Sequence, residues 1–586
     1  MLGNISAKQL TRLVASRFGS PALPCLTDEA VRERAGRLAR SSGLIERIER
    51  GLTPDEPIGV LPYSLFREYR RTGNRSHYER LLRARSNQIE LASMAVYLGL
   101  DHAAYLQDLL WAECETTWWV MPAHERRRGL VDLHASMSAF HYARLAALLG
   151  ERLDGEVSRR LLGEVRRRVL GPFADPRRHF WWERHTNNWN AVCNGAIGMA
   201  ALLVETDPKR LSRVLAAVLE NLTNFLDGFA ADGGCSEGPS YWRFGFGWYV
   251  QFAAALYDFT AGRVNLMAGE GIRRICRYPL AVTVAPGQDL SFADAHSGYL
   301  PLATAALVNR FQRVPELFSL CRRREDGTPV AATLTDLLAW DGSKRRGRFR
   351  RRAAHLPALG VAMLRGGRTT VGAKAGHNGE HHNHNDVGSF LVHRGGTFFL
   401  TDLGAPVYSR RTFSERRYES VFCNSLGHGV PVVNGQGQQT GEAFAGTMAV
   451  GPAGRNGKAT VRIEMAGAYG LPGLERLSRE IALPARGGRV ELTDTFRFSR
   501  PPESLVEVFI TVLPAEAAAD GKSVTVRSES DGTAELRAPA TAGRFRVEEL
   551  TDQSAECRGG ELIRRIVFAP DRLAETMTLR FAVRFR

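Results

Sequence analysis

The chain has 586 residues, 44% hydrophobic, 24% charged and 9% aromatic, which excludes a disordered or low-complexity polymer and leaves room for more than one large buried core. Lys and Arg (78) outnumber Asp and Glu (62), a net charge of +16 that favours a polyanionic partner such as nucleic acid, anionic lipid or acidic polysaccharide. No run of 18 or more apolar residues and no signal-like amino-terminal segment is evident, so the chain reads as cytoplasmic, or as periplasmic or secreted if a leader was removed. The eight cysteines show no CxxC spacing and read as buried free thiols rather than a disulfide framework.

Up to about residue 345 apolar residues recur at steps of three and four, as in Leu91, Met94, Ala95, Leu98 and Leu106, Leu109, Leu110. Similar patterns at 135–149, 195–204, 211–226 and 246–259 predict helices with short connections, hence antiparallel helical hairpins closing into a ring or bundle. The basic run at 342–355 reads as a solvated hinge or a groove wall. From about 357 the period falls to two, in segments such as SFLVHRGGTFFLTD and REIALPARGGRVELTDTFRF. These predict antiparallel strands, with Gly-Gly turns at 395–396 and 487–488. The expected fold class is therefore α+β, multidomain: helical over 1–350, antiparallel β over 351–586.

Three polar segments interrupt these patterns. HFWWERHTNNWNAVCNG (179–195) sets His185, Asn187, Asn188 and Asn190 before an apolar helix, more polar groups than one helix cap requires. DGGCSEGPSYWRFGFGWY (232–249) reads as a shaped loop at a helix start that turns Glu237, Tyr241, Trp242 and Arg243 toward a cleft, with rings able to stack on sugars; Trp248 and Tyr249 read equally well as core. GHNGEHHNHNDVGSF (376–390) is the densest. Strand alternation would put His382 and His384 on one face and His381 and Asn383 on the other, while His377 and His381 read as solvated. His384 with Asp402 of LTDLG and His428 of NSLGHG makes a candidate zinc site.

In order and context, HTNNWNAVCNG, DGGCSEGPSYWRFG and HNHNDVGSF with LTDLG resemble the heparinase II/III-type polysaccharide lyases over roughly residues 80–500. The resemblance implies an incomplete (α/α) toroid followed by an antiparallel β-sandwich domain. It implies a catalytic set of Asn188, His185, Tyr241 and His382, the last meeting the others across the domain interface. It also implies a structural divalent metal, zinc or else manganese, on His384, Asp402 and His428. Asn187, Glu237, Trp242, Arg243 and Tyr408 are the expected substrate contacts, Tyr408 being equally open to a packing role. The expected partner is an anionic polysaccharide or oligosaccharide, with neither nucleic acid nor membrane, and a homodimer stays open.

Such an enzyme cleaves a uronate-containing chain, a glycosaminoglycan such as heparan sulfate, chondroitin sulfate or hyaluronan, by β-elimination. The C5 proton beside an ionised carboxylate is weakly acidic, so that charge must be neutralised by donors such as Asn188, His185 or His382 before the proton can leave. Tyr241 is the candidate base, needing nearby positive charge to favour phenolate, and His382 takes that part if the proton lies on the other face. A metal would pin structure, since the reaction consumes no water. Three rival readings remain at the level of sequence: a glycoside hydrolase using Asp232 and Glu237, a non-catalytic polyanion-binding protein, and a zinc hydrolase on His384, Asp402 and His428.

Overall fold

The computed structural model describes residues 5–125, 130–343, 348–451, 457–539 and 541–586; of the basic run at 342–355, residues 344–347 lie outside these. The chain divides into two compact units, and the division is not a single cut. One unit comprises Met1–Gly228, Tyr241–Cys276 and Tyr299–Arg348; the other comprises Phe229–Ser240, Arg277–Gly298 and Phe349–Arg586.

The first unit is helical, with the antiparallel helical hairpins of an incomplete (α/α) toroid. Its long helices start and stop where local chemistry dictates. Asp132, Asn187 and Asp207 cap the helices Leu133–Leu149, Asn188–Val204 and Pro208–Asp227, each accepting a backbone N–H of the first turn. Gly99, in the left-handed region, closes Ser76–Leu98 before Ala103–Glu115 begins, so the periodic run predicted around residues 91–110 is two helices. Asn188–Val204 is apolar on nearly every face and packs on Leu133–Leu149, Pro208–Asp227 and Gly247–Phe259. Close approach there demands glycine: a Cβ on Gly198 would stand 2.4 Å from the Phe252 ring, and one on Gly195 would stand 2.9 Å from the Trp248 carbonyl oxygen.

The second unit is antiparallel β throughout its described strands. A five-stranded meander runs Ala354–Leu356, Val361–Gly366, Thr369–Lys374, Phe390–Arg394, Thr397–Leu400. A nine-stranded sheet is centred on Lys458–Glu464, Leu474–Pro484, Arg489–Phe498 and Thr576–Phe585, and a four-stranded sheet includes Leu505–Thr511 and Arg564–Pro570. Their inward residues, among them Val371, Phe399, Ile463, Leu477, Phe496, Phe509 and Phe568, form one core. Both Gly-Gly turns are present, with Gly395 and Gly487 at positive φ.

Two segments from the first 350 residues join this unit because its sheet holds their backbones. Asp232 Oδ2 accepts from the N–H of Ala358 and Leu359, Arg365 donates to the carbonyls of Thr283 and Val284, and Ser291 Oγ donates to the carbonyl of Asp402.

Deep in the unit, Arg479 is fully buried. It forks onto Asp494 (Nε–Oδ1 2.9 Å, Nη2–Oδ2 2.6 Å), reaches Glu507 (3.1 Å) and donates to the carbonyls of Gly388 and Gly429. One guanidinium thus joins two sheets and two loops. Removing it leaves buried carboxylates without a counter-charge, so Arg479→Ala should lower unfolding free energy by about 3–5 kcal/mol, read as a fall in the denaturant midpoint of the full chain.

Candidate active site

In the helical unit the first motif lies beside the part of the second that begins at Tyr241. Asn187 is spent as a cap, accepting from Trp189 N (3.2 Å), and Asn188 opens the helix, buried at 2% exposure. Asn190 holds the preceding loop in place, its amide donating to the carbonyls of Glu183, His185 and Asn221, each at 2.9 Å. That loop carries His185, which is exposed, with Trp181 edge-on to it at 4.8 Å; Trp181 also meets Trp189 at 4.8 Å, and Trp189 meets His124 at 4.5 Å. These rings, not singled out from the sequence, form an aromatic group beside Asn188. Tyr241 and Arg243 are half-buried at the start of a π-helical turn, Trp242–Phe246, of the kind that often marks functional positions. Gly245 of that turn packs on Asn188, where a Cβ would stand 3.0 Å from the asparagine Cβ.

Trp242 departs from expectation. It is 1% exposed and its indole N–H donates to the Ile275 carbonyl at 3.0 Å, so it is a core residue and not a ring presented to sugar. Trp248 and Tyr249 are buried as well.

The β unit gathers the third motif. Residues 381–385 are not a strand: they form a turn and loop, with His382 at φ 57°, so alternation does not explain their placement. Instead both histidines close on one carboxylate that the sequence reading missed. Asp294, fully buried, meets His382 Nδ1 through Oδ2 (2.7 Å), and His384 Nε2 and Arg417 Nη2 through Oδ1 (2.9 Å each). Its neighbour Ala293 is also left-handed (φ 58°), and the Asp294 N–H donates to the His382 carbonyl at 3.3 Å. Two non-glycine residues at positive φ, on the two loops that meet here, mark a backbone held against its preference. Only the isolated polar pair in FADAHS hinted at Asp294.

The far side of His382 faces a second acid, Glu237, buried, with Oε1 3.4 Å from Nε2. An imidazole with a carboxylate oxygen at each nitrogen can donate to both only as imidazolium. Burial alone would raise the Asp294 carboxyl, yet the hydrogen bonds from His382 and His384 hold it well below the usual carboxylate range. Tyr408 lies beside His382 (ring centroids 6.4 Å) and under the Arg558 guanidinium (4.7 Å). His381 is exposed and His377 half-buried. Asp232 is no partner for Glu237 in hydrolysis, because both its oxygens are committed to backbone N–H groups, of Gly234 and of Ala358 and Leu359.

His384, Asp402 and His428 do converge, joined by Asp386, with one ligand atom from each within 4.8 Å of the others and all four residues buried. The donor set fits a metal ion on three counts. His384 Nδ1 and Asp386 Oδ2 are buried without a hydrogen-bond partner. His428 Nε2 faces the Phe422 carbonyl at 3.0 Å, which requires N–H there, while its Nδ1 meets Asp402 Oδ2 at 2.8 Å, a contact that calls for a proton or a cation. The Asp294 carboxylate behind His384 Nε2 fixes that ring with Nδ1 as the ligand atom. Since Asp294 also orders His382 and Arg417, Asp294→Ala should destabilise the chain by about 3 kcal/mol, measured in urea, and Asp294→Asn by less.

Residues 349–577 match the family model described as Heparinase II/III-like, C-terminal. No curated protein sequence matches the chain. Among solved structures, heparinase III superposes with a TM-score of 0.62 at 13% identity, over 85% of this chain and 76% of that one. A heparinase III gene product gives 0.60 at 13% identity, over 97% and 92%, and a mutant of the heparan sulfate lyase HepC from Pedobacter heparinus gives 0.58 at 13%, over 86% and 76%. At this identity the likeness is one of fold, and it extends over both the helical and the β units. The match over residues 349–577 bears out the resemblance carried by the motifs.

Proposed function

We propose that this protein is a polysaccharide lyase that cleaves sulfated, uronate-containing glycosaminoglycans of the heparan sulfate class by β-elimination, leaving a 4,5-unsaturated uronyl end. The observation that carries this reading is His382 clamped between Glu237 and Asp294 in a Heparinase II/III-like domain. Nδ1 is fixed on Asp294, and Nε2, at the longer 3.4 Å from Glu237, is the atom that would turn to a uronate carboxylate or to a departing glycosidic oxygen. In the helical unit, Asn188 supplies an amide donor able to neutralise a uronate carboxylate. Tyr241 is assigned as base, taking the C5 proton as phenolate and returning it to the C4 oxygen. Arg243 and His185 are the charges that favour its ionised form. A net charge of +16 suits a densely sulfated chain, and one of the fold relatives, HepC, is a heparan sulfate lyase. Asp232, bound on both oxygens by backbone, removes the paired carboxylates that a hydrolase would require.

A divalent metal, zinc by its two-imidazole, two-carboxylate donors, is assigned to His384, Asp386, Asp402 and His428. When bound it supplies charge that cross-links the loops carrying these residues. The proton transfers belong to the protein side chains.

Incubation with heparan sulfate, chondroitin sulfate, hyaluronan and alginate should raise near-ultraviolet absorbance, most with heparan sulfate. Tyr241→Phe should lower kcat by about 10²–10⁴ with KM little changed. New reducing ends without that absorbance would replace elimination by hydrolysis. Elemental analysis should find about one zinc per chain, and His384→Ala should lose the metal and lower Tm together; metal content unchanged by His384→Ala would reject the assignment.

A further inference from the structure

The helical unit holds a second feature that elimination chemistry does not use. Trp182, on the approach to Asn188–Val204, donates its indole N–H to the Val131 carbonyl just before Leu133–Leu149, so these two helices start at the same end of the unit. Two cavities, of about 160 and 180 Å³, lie along Leu133–Leu149: the larger reaches back to His134 in its first turn, and the smaller lies farther on, at Phe140 and Arg144. Met199, on the wall of the smaller, is eleven residues beyond Asn188, or about 16 Å along the helix. This places the smaller cavity well apart from Asn188.

Arg144 lines both cavities at 3% exposure. Its Nη1 donates to Thr335 Oγ1 at 2.7 Å, Nη2 is 3.9 Å from Glu90 Oε2, beyond hydrogen-bond reach, and Nε is buried without a partner. Glu90 is itself engaged by the Leu334 N–H at 2.7 Å. The edge formed by Nε and Nη2, the one that forks onto a carboxylate, is therefore unused. The other ion pair on the smaller cavity is tightly made, with Arg310 Nη1 on Asp258 Oδ2 at 3.0 Å, whereas the charge of Arg144 is met only by the long contact to Glu90. The rest of that wall is largely apolar: Leu26, Phe140, Met199, Ala254, Ala306 and Leu338. Burying a guanidinium whose nearest carboxylate stands beyond hydrogen-bond reach is costly, and a cavity of about 150 Å³ accommodates a molecule the size of benzene.

We propose that this cavity is a binding site for a small monocarboxylate with an apolar body, its carboxylate forked by the Nε–Nη2 edge of Arg144 and its body against Phe140, Met199 and Ala254. The acid is bound, not transformed, since no nucleophile or general base faces it: Cys25, also on the wall, has its thiol pushed up to about 11 by burial.

Thermal unfolding of the full chain tests this with benzoate and hexanoate against hexanol and hexylamine. The carboxylates should raise Tm by at least about 2 °C at saturation and the alcohol and amine should not. Ala254→Leu, which fills the cavity without touching Arg144, should remove the response, as should Arg144→Met if that variant folds. No response to either carboxylate, an equal response to hexanol, or a response that survives Ala254→Leu would each overturn the proposal.

Discussion

One buried carboxylate organises the chemistry of the β unit. Asp294 takes three donors at once, His382, His384 and Arg417, and each serves a different end. The first is the candidate donor to substrate, the second a candidate metal ligand, the third an anchor that also donates to the Asn383 and Thr412 carbonyls. A carboxylate can satisfy three partners because its two oxygens carry about four acceptor sites. Burial makes each of those contacts stronger and the absence of any one more damaging. The left-handed backbone at Ala293 and His382 is the local strain that this convergence imposes.

The halves of the fold were legible because their periods differ. Steps of three and four before residue 345 and of two after 357 reflect the faces that helices and strands bury. The trio His384, Asp402 and His428 was legible through its motifs, and the structure adds Asp386, which stood in the same segment without being read as a ligand. What could not be read was long-range. Asp294 lies 88 residues from His382 in sequence, and no local pattern announces that contact. Trp242 was misread as part of a loop facing a cleft, because the Ile275 carbonyl that receives its indole N–H lies 33 residues away in sequence. The strand expected at 381–385 failed because His382 adopts a conformation no strand contains.

Rigidity around the histidines comes from beneath. Arg479 donates to the carbonyl of Gly388, two residues past Asp386, and to that of Gly429, one past His428, while its charge is balanced by Asp494 and Glu507. Burial pushes the Glu507 carboxyl up, and the neighbouring Asp494 charge adds to that push. The loops that carry the candidate ligands are thereby tied to the two sheets through one side chain, so the ligand geometry is a property of the sheet scaffold and not of loop sequence alone.

The interleaving of the two units has a consequence for biosynthesis. Glu237 and Asp294 leave the ribosome long before the strands that will hold them, and two stretches of the intervening chain, Tyr241–Cys276 and Tyr299–Arg348, belong to the helical unit. These two acids must therefore wait, solvated, until translation has delivered His382 and the segments around it. A fragment begun at Phe349 would possess the imidazoles without either acid that flanks them. The gene segment matching the family is thus smaller than the piece of protein able to assemble this chemistry.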